Sequence, residues 1–375
     1  MIQIILQGFD DMNICFFCGG FNTNGGIGRV TSIIAEKLAT KHNVYLCSLY
    51  ENKTDSYYDT TLSKDNYCLF ESPVSMNKAM LKGHAISQLK EYLKEKNIDV
   101  VVACGALYFP LVVIAARLCG IKVMCWEHIS PTVTTDYKFQ KEARWFGTRF
   151  CDCNIVLTKE SEKWYAEHYK YKKLIQIYNP VDPAVLSTKT SGYNAQSKKI
   201  ISVGRLSYQK NFERLLEIAK EVLAHNPDWT WDIYGEGERR LTLENKINEY
   251  GLNGKVSLRG QVQNIYSLYD NYAMIVMTSR YEGFPMVLLE AAAFGLPMIA
   301  FDIQTGPKEI INNGVNGFLC DNSSDFEMIN AIATLMNSQD KRVCFSQESK
   351  KTADLFSIDK IAAQWDEKIT ELLNG

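Results

Sequence analysis

The sequence contains no apolar run near the roughly 18 residues that a membrane-spanning helix needs, and no strong excess of either charge. It holds 41 Lys and Arg against 43 Asp and Glu, a formal net charge of −2, which argues against nucleic acid as a main partner. A small basic excess in residues 1–183 and a small acidic one in 184–375 are compatible with an N-terminal face that touches anionic surfaces without demanding one. Eleven cysteines are scattered along the chain. Cys15 and Cys18 form a Cys-x-x-Cys inside the apolar segment ICFFC, and no second pair at metal-ligand spacing accompanies them. Zinc is therefore disfavoured, and the cysteines read as buried reduced thiols of a cytoplasmic protein. The opening MIQIILQGFDD lacks the basic flank of a signal peptide. It precedes the first strand-like segment, NICFF, with Met12 just ahead, so residues 1–11 are expected to be dispensable.

What is present is ordinary globular composition, 46% hydrophobic and 22% charged in 375 residues, enough for two domains that each bury a core. Short apolar runs alternate with amphipathic stretches. In the first half the runs are NICFF (13–17), VYLCSL (44–49), DVVVACG (99–105), KVMCWEH (122–128) and CNIVLT (153–158). The second half repeats the pattern with KIISVG (199–204), WTWDIYG (229–235), KVSLRG (255–260), AMIVMTS (273–279) and PMIAFD (297–302). Repeated strand–helix–strand units predict an α/β chain with two doubly wound parallel sheets. Two prolines and an Asp in NPVDP (179–183) mark a linker. The expected domains are 1–183, 184–356, and a final helix, 357–375, with Ser357 as its cap.

Sheets of this kind bind ligands beyond the carboxyl ends of their strands, so the loops there carry the argument. After the first run comes GGFNTNGGIGRV, in which Gly25, Gly26 and Gly28 precede a helix. Such a turn suits phosphate at a helix start. Its spacing is not Gly-x-Gly-x-x-Gly, and no acidic residue closes the second run to grip a ribose, so NAD is disfavoured. In VGRLSYQKN, Arg205 and Lys210 follow a strand and precede a helix, where two cations suit a diphosphate. The strongest stretch is SRYEGFPMVLLEAAAFGLP. Glu282 falls in the loop, Pro285 at the first helical position, and Glu290 in the second turn, with Gly295 as terminator. Glu290 interrupts an apolar helix, and a carboxylate there is costly without a partner.

Together these segments resemble family 4 of the retaining glycosyltransferases, which have the GT-B fold of two Rossmann-like domains facing a cleft, with a C-terminal helix crossing back to the N-domain. The resemblance covers nearly the whole chain: the GGIGR loop, Glu127–His128, NPVD, VGRLSYQKN, YGEGERR, LRGQVQN, the Glu-x7-Glu stretch, TGPKEII and NNGVNGFL. It implies that Arg205 and Lys210 neutralise the donor diphosphate, that Glu290 binds the nucleotide ribose and that Glu282 binds a donor-sugar hydroxyl. It also implies that the backbone around Gly283, Phe284, Pro285 and Leu289 reaches sugar and phosphates. Gly26 belongs to a loop closing on the donor, His128 lies near sugar and acceptor, and Gly235, Arg259 and Val262 flank the base.

The expectation is thus a glycosyltransferase moving a hexose or N-acetylhexosamine from a nucleotide-sugar, a UDP-sugar first, to a glycan acceptor, lipid-linked by resemblance to bacterial surface-polysaccharide enzymes. Many transferases hold a metal with Asp-x-Asp; that motif is absent here, so no metal or other cofactor is expected, fixed cations and a helix dipole taking its place. A front-face displacement is expected, because no carboxylate is placed as a nucleophile. A GT-B nucleotide-sugar epimerase is the alternative, and a non-catalytic sensor a third. Two basic stretches are candidates for anionic lipid at the inner face of the cytoplasmic membrane. One contains Lys78 and Lys82; in the other Lys138, Lys141 and Arg144 line one side and Phe139, Ala143 and Phe146 another.

Overall fold

The computed structural model describes residues 11–21, 26–50, 62, 66–70, 83–133, 139–188 and 190–375. Residues 1–10 of the opening segment, Gly25, Lys78, Lys82 and Lys138 lie outside the described residues. The chain divides into two compact units, Met1–Pro180 with Ile358–Gly375, and Val181–Ser357.

The first unit runs β1 (Asn13–Cys18), α1 (Gly26–Leu38), β2 (Asn43–Tyr50), β3 (Tyr67–Phe70), α2 (His84–Glu95), β4 (Val100–Cys104), α3 (Phe109–Cys119), β5 (Lys122–Trp126), α4 (Gln140–Phe150), β6 (Cys153–Val156), α5 (Lys159–His168) and β7 (Leu174–Gln176). Its seven strands are parallel in the order β3-β2-β1-β4-β5-β6-β7. Every residue of β4, VVVAC, is buried, as a central strand covered on both faces requires. Strands β3 and β7 were not expected; they are short, and β7 is only half-buried.

The last helix of the chain, α13 (Ile358–Asn374), completes this unit. It buries Ile361, Ala362, Trp365, Ile369 and Leu372, a stripe at helical spacing. The Trp365 ring lies 5.9 Å from Phe16 of β1 and 4.7 Å, edge-on, from Trp126 of β5. Lys41 and His42 both reach Asp366, and Lys173 reaches Glu371. The two lysine pairs are partly exposed and individually weak, so the apolar stripe, with the buried His42 contact beside it, is what docks the helix.

The second unit runs α6 (Pro183–Ser187), β8 (Lys199–Val203), α7 (Phe212–Ala224), β9 (Thr230–Tyr234), α8 (Arg240–Glu249), β10 (Val256–Gly260), β11 (Met274–Met277), α9 (Met286–Ala293), β12 (Met298–Asp302), α10 (Pro307–Ile310), β13 (Gly317–Asp321), α11 (Asp325–Asn337) and α12 (Gln339–Leu355). Six parallel strands stand in the order β10-β9-β8-β11-β12-β13. The direction of winding reverses between β8 and β11, which opens a crevice at their carboxyl ends.

Replacing Trp365 by Ala is expected to cost about 3–5 kcal/mol of folding free energy, measured by urea denaturation. A loss below about 1 kcal/mol would mean that the final helix does not depend on this ring.

Candidate active site

The loops after β8 and β11 leave the sheet of the second unit where its winding reverses, and they are tied together. Arg280 donates its amide to the Gln209 carbonyl at 2.8 Å and its Nε to the Tyr208 carbonyl at 3.1 Å. The Thr278 hydroxyl reaches the carbonyls of Lys210 and Asn211 at 3.1 and 3.2 Å. The consequence is that Lys210 and Glu282 meet: Nζ donates to Oε1 at 2.6 Å. Gln209 Nε2 donates to the Tyr281 carbonyl at 3.0 Å and reaches Glu282 Oε2 at 3.4 Å. Thr305 donates to the Glu282 carbonyl. Gly306, at φ +105°, packs so closely that a Cβ there would stand 2.7 Å from Pro285 Cδ and 3.3 Å from Glu282 Cβ. Arg205 behaves differently. Its side chain is 75% exposed, with a loose contact of 3.4 Å to Glu238.

Helix α9 begins at Met286, with Pro285 at the cap rather than as the first helical residue. The amides of Leu288 and Leu289 return to the Pro285 carbonyl, leaving those of Met286 and Val287 ahead of the first helical bonds. Gly283 is half-buried, and Phe284 is buried 5.6 Å from the Phe356 ring. Leu289 is core. Glu290 is buried, and its sequence-demanded partner is Tyr266, whose hydroxyl lies 3.2 Å from Glu290 Oε1 and 3.3 Å from Asp182 Oδ2. The other Asp182 oxygen caps α6 by accepting the Ala184 amide at 2.7 Å. The NPVD segment, read as a linker, therefore places its Asp against the same tyrosine as Glu290.

Gly235, at φ +133°, has no room for a side chain; a Cβ would lie 2.0 Å from the Gly204 carbonyl oxygen. Its amide bonds to the Gly260 carbonyl at 2.9 Å, and Gly204 bonds to the Tyr234 carbonyl at 2.9 Å. The loop carrying Arg205 is thereby seated on the end of β9. Arg259 donates Nε to the buried Asp232 at 2.7 Å, and Asp232 also accepts from Tyr272 at 2.8 Å. Val262 is half-buried in the loop after β10.

In the first unit, Gly26 opens α1, with open space where a side chain would go. His128 follows β5. Its ring lies 4.1 Å from Trp126, and its Nε2 is buried without a hydrogen-bond partner. Burial pushes the imidazole down to about 3, because the charged form loses its hydration. Glu127 organises this loop. One oxygen accepts the amides of His128 and Ile129, both at 3.1 Å; the other accepts Arg144 Nε at 2.7 Å and the Tyr165 hydroxyl at 3.0 Å. This corrects the reading of α4. Arg144 does not line an outer basic side with Lys141; it is buried against Glu127, with a second bond to the Pro131 carbonyl at 3.0 Å. Ala143 is buried too, whereas Phe139, Trp145 and Phe150 are exposed.

Family comparison agrees with the architecture of both units. The model for glycosyl transferases group 1 matches residues 187–352, and that for glycosyltransferase family 4 matches residues 24–185. The chain is a family 4 glycosyltransferase. An uncharacterized glycosyltransferase of Haemophilus influenzae is 27% identical over 353 residues, 94% of this chain and 98% of that one. The amylovoran biosynthesis glycosyltransferase AmsD of Erwinia amylovora is 28% identical over 357 residues, 93% of this chain and 97% of that one. Among solved structures, Anabaena HepE in complex with UDP superimposes with a TM-score of 0.81 at 19% identity, over 96% of this transferase and all of HepE. That likeness establishes the GT-B fold.

Sequence reasoning missed the Lys210–Glu282 pair, the Tyr266 bridge and the anchoring of the His128 loop by Glu127 and Arg144 in this transferase. Glu127 and Arg144 carried a signal, since a charged residue closing an apolar strand needs a partner; Tyr266 carried none. Among the described residues no group of three or more His, Cys, Asp or Glu side chains is gathered to hold a metal.

His128 is held neutral in the folded chain, whereas the unfolded chain takes up its proton near 6.5. The stability tied to the neutral ring is complete above that value and drains away as pH falls toward 3. His128→Phe is expected to flatten this acid limb in urea midpoints measured against pH. An unchanged limb would assign it to other groups.

Proposed function

We propose that this transferase moves a hexose or N-acetylhexosamine from a nucleotide-sugar, a UDP-sugar first, to a lipid-linked glycan acceptor in bacterial surface-polysaccharide synthesis. One observation carries the reading: Lys210 and a carboxylate fixed to it meet in the loops at the strand ends where one sheet reverses its winding, with the start of α9 following the same loop as Glu282 and Arg205 exposed in the same loop as Lys210. The name of the AmsD relative supports the pathway class, and the UDP of the HepE complex supports the nucleotide.

Arg205 and Lys210 are assigned to the donor diphosphate, with the Met286 and Val287 amides adding the positive end of α9. Glu282 takes a hydroxyl of the donor sugar, and Glu290 the ribose. Gly283, Phe284, Pro285 and Leu289 present backbone toward the donor; Gly235, Arg259 and Val262 border the base. Gly26 and His128 belong to the sugar and acceptor side, with His128 acting as a neutral imidazole. In the proposed step the bond from sugar C1 to the β-phosphate oxygen breaks. The acceptor oxygen bonds C1 from the same face, and its proton passes to the departing phosphate oxygen. The configuration at C1 is retained. Stabilisation of the leaving group is assigned to the fixed cations, not to a metal, because the chain lacks Asp-x-Asp.

Lys210→Ala is expected to lower kcat at least tenfold with a small change in donor KM, and Glu290→Ala to raise donor KM more than it lowers kcat. The test is steady-state kinetics across UDP- and GDP-sugars with EDTA present. Activity lost to EDTA and restored by manganese, or equal effects of both variants on both parameters, would contradict this division.

The membrane part of the proposal rests on α4 in its corrected form. Exposed Phe139, Trp145 and Phe150, with exposed Lys141 and Arg149 alongside, form an aromatic and basic face, the composition favoured at a lipid headgroup boundary. Cosedimentation with anionic vesicles at low salt is expected, weakened at least threefold by Trp145→Ser. Equal binding by the variant would move the contact elsewhere on the protein.

A further inference from the structure

We infer that Glu282 discriminates against the free nucleoside diphosphate by keeping Lys210 compensated, so that the site holds intact donor in preference to the spent nucleotide. The inference rests on the donor-site reading above. Glu282 is fixed from several sides: by Lys210 Nζ at 2.6 Å, by Gln209 Nε2 at 3.4 Å, and by Thr305 through its backbone carbonyl. Side-chain exposure is 16% for Lys210 and 8% for Glu282, so solvent screens the pair poorly. Arg205, by contrast, is exposed and loosely held.

A phosphate that approaches Lys210 therefore meets a cation already partnered, with a carboxylate directly behind it. A free nucleoside diphosphate brings only further negative charge and bears the full repulsion. A nucleotide-sugar brings hydroxyl groups, and a hydroxyl donates to Glu282, so the carboxylate earns a new hydrogen bond while sharing its cation. The two ligands also differ in charge. The sugar ester masks one ionisable oxygen of the terminal phosphate, and transfer uncovers it. Breaking the bond to C1 thus raises the negative charge beside Glu282 and removes its hydroxyl partner together. The carboxylate that recognises the donor is the one that repels what remains.

The test is isothermal titration calorimetry with UDP, GDP and UDP-glucose on the wild-type chain, Glu282→Gln, Lys210→Met and the double variant. Glu282→Gln is expected to tighten binding of the free diphosphate by about threefold to tenfold, with no such gain for UDP-glucose. The gain disappears in the Lys210→Met background, because the coupling runs through that cation. Glu282→Ala serves as a second neutral variant, and circular dichroism melts confirm the fold of each. Free-diphosphate binding that is unchanged or weaker in both folded Glu282 variants overturns the inference, as does a gain that persists without Lys210. If Lys210→Met leaves diphosphate binding intact, or if the wild-type chain binds neither UDP nor GDP, the donor-site reading itself falls and the inference with it.

Discussion

Parallel strands leave all their carboxyl ends on one edge of a sheet, and in each unit of this chain the winding reverses beside the first strand. That constraint decides where every candidate group lies. Loops that leave β8 and β11 at the reversal have no helix between them, so they cross-link each other through backbone bonds such as Arg280 to Gln209. Only because those backbones are joined can a lysine and a glutamate far apart in sequence stand 2.6 Å from each other. The glycines around them serve the same end. Gly235 and Gly306 are positions where a methyl group would push the loops apart.

Two of the buried carboxylates of the second unit, Glu282 and Glu290, illustrate different solutions to one cost. Glu282 is paired with a cation, and Glu290 shares a phenol with Asp182. A charge-compensated carboxylate resists new anions and welcomes donors. Glu290 is met by a hydroxyl, the kind of group that a carboxylate recognises on a ligand. In the first unit, Glu127 follows a third course, spending all its oxygen capacity on Arg144, Tyr165 and two amides. It shapes the turn that presents His128 and leaves nothing over for a ligand.

The doubly wound architecture was legible because buried parallel strands such as β4 and β11 are short, wholly apolar runs. Strands β3, β7 and β13 escaped notice because they are short edge or near-edge strands with half-exposed residues, which carry no such run. Arg205, Lys210, Glu282 and Glu290 were conspicuous by position, each just past a strand or inside an apolar helix. What they touch was not legible, since the Lys210–Glu282 pair spans 72 positions and no local pattern encodes it. The error over Arg144 has a similar source. Helical periodicity groups residues into faces without saying which face meets the core, and a buried Glu127 pulled the arginine inward.

The placement of α13 has a consequence for how the chain is made. The first unit contains both the opening strands and the final helix, so in chain order the second unit is an insertion within it. A ribosome releases the whole of the second unit before Trp365 reaches its seat between Phe16 and Trp126. The first unit is started early and closed last, with its Trp126 surface uncovered throughout synthesis. A stop codon ahead of the final helix would thus leave the later half of the protein whole and undo the earlier one.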